Sequence, residues 1–275
     1  MKNYYIFIAL AMVAAMSVSC KSNKKAESNE ANEEVVEAAK TILADDVLAT
    51  IDEIAESFKN EENIVDVPSI ISSSLTEQEK LIKPDYLLDP AQASEMISKS
   101  QKVNALAIYI TERTIRKAFE MPIEETDEAI AHLSAEVDLP HPFDDYDNLT
   151  RSERFSKFYN ACVERGDVAF FWQFSFALQQ ELVFLIAQNP DPFFRSISDE
   201  QLFSFHERFA SCLHAVSELA KYDEEIALAV KIFQENDAIP DDKDADIIYS
   251  SVENAKKHII EAKDVFAVRR TNLLK

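Results

Sequence analysis

A single glycine, Gly166, occurs in 275 residues, where an average chain of that length carries about nineteen. Glycine lets backbone take a positive φ in tight hairpins or press close to a phosphate. Its scarcity therefore excludes the phosphate-cradling loop, the dinucleotide fingerprint and the G-x-S-x-G elbow of many hydrolases. Basic residues are also few: 28 Lys and Arg stand against 50 Asp and Glu, a net charge of −22. Such a surface repels nucleic acid and anionic lipid headgroups, so no nucleic-acid partner is expected.

What is present suits helices. Hydrophobic residues make up 47% of the chain, ample for a core, and the nine prolines divide it into segments with proline-free interiors. Apolar residues at Val35, Val36, Ala39, Leu43, Val47, Ile51, Ile54 and Phe58 recur with the 3.6-residue period of an amphipathic helix over 32–58. Thr76 with Glu79 reads as a capping box. Asp89 and Pro90 are expected to open a long helix ending near Phe119, followed by one over 124–137. A helix over 150–188 is interrupted only around Gly166. Ser198 with Gln201 starts another, ending near Lys221, with a further one over 223–235. A last helix after Pro240 carries Ile248, Val252, Ala255, Ile259, Ala262 and Phe266 on one side. The expectation is an all-α bundle of six or seven helices, one domain over 31–275.

The stretch "VAFFWQFSFALQQELVFLIA", residues 168–187, is long enough to cross a bilayer. It contains Glu181, and an acidic residue near the centre of a spanning helix costs about 2.5–3.5 kcal/mol. The stretch therefore reads as the central helix of the bundle, apolar nearly all round because neighbours surround it.

The first residues, "MKNYYIFIALAMVAAMSVSC", combine a basic start at Lys2, an apolar run too short to span, and the small residues Ser17 and Ser19 of a cleavage site. Ser17 to Cys20 resembles the lipobox of bacterial lipoproteins, with serine at Ser17 where that motif usually has an aliphatic residue. The resemblance implies a signal peptide over 1–19 and lipid on Cys20, then the first mature residue. The following "KSNKKAESNE" has almost nothing to bury and reads as a flexible tether over 20–30, about 35 Å long when extended. The expected address is the bacterial cell envelope, lipid-anchored and facing the periplasm, because the acidic run after the cysteine of some surface-exported lipoproteins is missing.

Candidate sites are few. His258 and Glu261 form H-x-x-E on one helix face and could share a cation. The pair resembles part of the G-x-H-x-x-E motif of imelysin-like periplasmic proteins, with Lys256 in place of the glycine, and the resemblance extends no further. Asp242, Asp244, Asp246 and Glu253 fall at ligand positions of an EF-hand-like loop, but Ile247 takes the position that requires glycine, so the acidic residues read instead as a helix start. Phe170, Phe171, Trp172, Phe174 and Phe176 read as core before pocket. Cys162 and Cys212 are expected to lie on the order of 16 Å apart along an antiparallel hairpin, as separate thiols. No cofactor is expected. The reading favoured is a non-enzymatic helical binding or scaffolding module, held by lipid and in contact with another envelope protein; the alternative is a helical protein that binds a metal or small ligand.

Overall fold

The computed structural model describes residues 47–58, 64–138, 151–235 and 251–275, and every regular element among them is helical. In chain order they are α1 (47–58), α2 (Val67–Ser74), α3 (Glu77–Leu81), a 3-10 turn (Pro90–Glu95), α4 (Lys99–Ala118), α5 (Glu124–Glu136) and α6 (Arg151–Glu164). Then follow α7 (Val168–Gln188), α8 (Pro190–Phe194), α9 (Asp199–Leu219), α10 (Glu224–Glu235), α11 (Val252–Glu261) and α12 (Lys263–Leu273). Asp52–Lys275 form one compact unit; of the other, Met1–Ile51, only 47–51 are described, and they are helical. The signal peptide, the tether, Cys20 and most of the helix expected over 32–58 lie outside the described residues, as does most of the acidic loop before Ser251.

The bundle is built around α7, which packs against α2, α4, α6, α8, α9, α11 and α12. Its first half joins an aromatic cluster: Phe171 lies 5.0 Å from Phe155, 5.2 Å from Phe158 and 5.0 Å from Tyr159, ring centre to ring centre. Trp172, fully buried, meets Phe58 at 5.8 Å. Its second half, Leu182 to Ala187, enters an aliphatic core with Val67, Ile71, Ile115, Phe193, Ile259 and Phe266. The expected central helix is therefore present, and the aromatics fill the interior.

Helix ends follow local chemistry. Thr76 and Ser198 each form the expected capping box. Gly166, at φ 69°, ends α6 in a Schellman motif: its N–H donates to Val163 O at 2.9 Å and that of Asp167 to Cys162 O at 2.9 Å. Asp167 then caps α7.

The chain divides the bundle more finely than six or seven segments. The helix expected from Pro90 stops after a 3-10 turn, because Ser98 and Gln101 form a second capping box that starts α4. The helix α2 is an element beyond the expected segments: Asp66 caps it, with Pro68 in its first turn. The last helix breaks at Ala262 (φ −90°, ψ 9°) into α11 and α12. On α9 the buried stripe is Leu202, Phe205, Cys212, Ala215, Val216 and Leu219, which leaves His206 half-buried beside it. Cys162 and Cys212 are buried free thiols, as expected.

Candidate functional site

The feature at the centre that composition alone would not place there is charge. Glu112 on α4 and Glu181 on α7 are both 0% exposed, and Arg270 on α12 and Arg116 on α4 are nearly so. A buried carboxylate loses its hydration and persists only when ion pairs and hydrogen bonds replace it. Arg270 supplies them to both acids. Its Nε donates to Glu181 Oε2 at 2.7 Å and its Nη2 to Glu112 Oε1, while Nη1 reaches Tyr86 O at 3.3 Å. The guanidinium also lies over the Phe184 ring, 4.5 Å from its centre.

The same cluster grips the segment before the 3-10 turn. Leu88 N–H donates to the two oxygens of Glu112 at 3.0 and 2.9 Å, and Arg116 Nη2 donates to Leu88 O at 2.6 Å. Tyr86 OH accepts from Asn189 Nδ2 at 2.7 Å, and Tyr109 OH donates to Asp89 O at 2.8 Å. The end of α12 is held too: Asn104 Nδ2 donates to Leu273 O at 2.8 Å, and Gln101 Nε2 to Leu274 O at 3.2 Å and Lys275 O at 2.9 Å. These bonds satisfy carbonyls that a helix terminus would otherwise leave open.

Burial pushes both carboxyls well above the ordinary carboxylate range, against the pull of Arg270. For Glu181 the neighbouring Glu112 carboxyl adds to the shift. Glu181 Oε1 is buried with no hydrogen-bond partner among the described residues, and the Glu112 and Glu181 carboxyls share the guanidinium of Arg270. Two carboxyl groups meet favourably only when one carries a proton. The arrangement can therefore store a proton and tie three helices and one loop together. Neither carboxyl is open to solvent, so this chemistry acts on the fold.

No known protein family, curated sequence or solved structure matches the chain.

His258 and Glu261 lie on α11, the histidine half-buried and the glutamate exposed. Burial lowers the His258 pKa, Glu261 opposes that and Arg269 adds to it. Among the described residues no group of three or more His, Cys, Asp or Glu side chains is placed to hold a metal. His214 Nε2 stands 3.9 Å from Glu218, whose carboxylate is taken up by Lys221 at 2.7 Å. A shallow depression of about 200 Å³ on α12, lined by Ala267, Val268, Thr271, Asn272 and Lys275, shares no residue with the central cluster.

Sequence reasoning missed the cluster. One signal was available: Glu181 interrupts an otherwise apolar helix, and a fully buried acid requires a cationic partner. Nothing local identifies that partner as Arg270.

Proposed function

We propose that the protein is a lipid-anchored module of the bacterial cell envelope, attached at Cys20 and facing the periplasm, that binds or scaffolds another envelope protein through its helical unit. The observation that carries this reading concerns α7. It is the one helix among the described residues long and apolar enough to cross a bilayer, yet its surface is spent on seven neighbouring helices. Attachment then falls to the lipobox-like segment ending at Cys20. Support for a binding role comes from side chains such as Leu81, Ile82 and Ile97, which are 79%, 77% and 87% exposed, against the usual tendency to bury large aliphatic groups.

Membrane fractionation with metabolic labelling by a radioactive fatty acid tests the anchor. The wild-type chain is expected to carry label and to require detergent for release. Cys20→Ala is expected to carry none and to leave the membrane without detergent. A Cys20→Ala protein that still needs detergent would overturn the anchoring and return α7 to the bilayer.

A further inference from the structure

An ordinary buried ion pair matches one acid to one base, whereas here two acids on two helices converge on one arginine from a third. Arg270 holds Glu181 through Nε and Glu112 through Nη2, and Arg116, 3.9 Å from Glu112, spends its Nη2 on Leu88 O. Glu181 Oε1 is left with no hydrogen-bond partner among the described residues. We propose that Glu112, Glu181 and Arg270, two buried carboxyls on one guanidinium, form a clasp that holds residues 83–89 and α12 against the bundle while one carboxyl is protonated and loosens when that proton is lost.

The elements the clasp grips are identified by their bonds. Residues 83–89 depend on it through Leu88 N–H on Glu112 and Tyr86 O on Arg270. The helix α12 depends on it through Arg270 itself. The exposed pair Leu81 and Ile82 immediately precedes the gripped segment, so loosening the clasp changes how that apolar pair is presented.

The charged and titratable groups that face the two carboxyls are Arg270 from α12, Arg116 and Tyr109 from α4, and Tyr86 from the segment 83–89. Burial raises both tyrosines above their ordinary value, so they stay protonated near neutrality and leave the carboxyl pair as the group that changes charge. Because the folded carboxyls titrate above their unfolded value, the folded chain binds more protons than the unfolded one between those two values. The stabilisation is therefore complete only below the unfolded carboxylate value, falls as pH rises from there to the folded values, and levels off above them.

Urea unfolding of the full-length chain in a mild non-ionic detergent, followed by circular dichroism between about pH 4.5 and pH 9, tests this. The folding equilibrium constant is expected to fall by up to about tenfold per pH unit, the slope for one proton. Exchange of the Leu88 amide, corrected for the intrinsic pH dependence of exchange, is expected to quicken over the same range. Glu181→Gln puts a permanent neutral donor beside Glu112 and is expected to flatten both dependences; Glu112→Gln is the second variant should the first fold poorly. A flat wild-type profile, or a slope unchanged in a folded Gln variant, overturns the proposal.

Discussion

Arg270 and Glu181 are 89 positions apart in the chain and meet in the core, where Arg270 Nε donates to Glu181 Oε2 at 2.7 Å. Removing the arginine strands two buried carboxyls. Arg270→Met is therefore expected to cost about 3–5 kcal/mol, the usual range for breaking a buried pair from one side. Adding Glu112→Gln and Glu181→Gln to it is expected to recover part of that loss, because the three groups act as a unit. Urea unfolding of the single and triple variants reads both; an Arg270→Met chain as stable as wild type would show that the cluster contributes nothing net.

Two helices end in the same Schellman geometry with different residues at the left-handed position. Gly166 takes φ 69° after α6, and Glu120 takes φ 53° after α4, where Glu120 N–H donates to Lys117 O at 3.0 Å and Met121 N–H to Arg116 O at 2.9 Å. A Cβ at Gly166 would meet no atom within 4 Å, so Gly166→Ala is expected to cost only the conformational term, about 1 kcal/mol. Glu120→Gly removes that same strain and is expected to stabilise, by up to about 1 kcal/mol after the unfolded chain's gain in freedom. Thermal midpoints of the two variants should move in opposite directions.

The single tryptophan, Trp172, lies fully buried in α7 among aromatic rings. Its emission is expected to be blue-shifted and poorly quenched by acrylamide, turning red only on unfolding. Phe171→Ala, which empties the middle of the same cluster, is expected to cost about 3–5 kcal/mol. An emission maximum typical of exposed tryptophan would contradict the placement of α7.

Burial pushes both the Cys162 and Cys212 thiols up to about 12, so neither supplies appreciable thiolate near neutrality. In the Cys20→Ala chain an aromatic disulfide reagent at mildly alkaline pH is expected to modify neither residue while the protein is native and both after urea. Fast labelling of either in the native state would place that cysteine at the surface.

How much of this was legible in the sequence can be judged element by element. The capping boxes at Thr76 and Ser198, the break at Gly166 and the buried α7 were all readable, since each depends on residues within a turn or two of one another. The box at Ser98 uses the same signal, but Asp89 and Pro90 offer a rival helix start a few residues upstream. The cap at Asp66 is hidden in the sequence by Pro68, which reads as a divider although proline in a first turn costs nothing. His258 and Glu261 were picked out by spacing; the fold puts Arg269 near the histidine and brings no third ligand to it among the described residues.

The sequence by itself determined the class of structure. One glycine, capped segments and a 3.6-residue period leave the chain no economical alternative to helices, and Glu181 marks the most apolar of them as a bundle interior. Only the tertiary structure decided which charges are buried together. Capping and periodicity act over three or four residues and are written locally. The meeting of Glu112, Glu181 and Arg270 depends on which faces of α4, α7 and α12 come into contact, and that is set by side-chain packing between segments far apart in the chain.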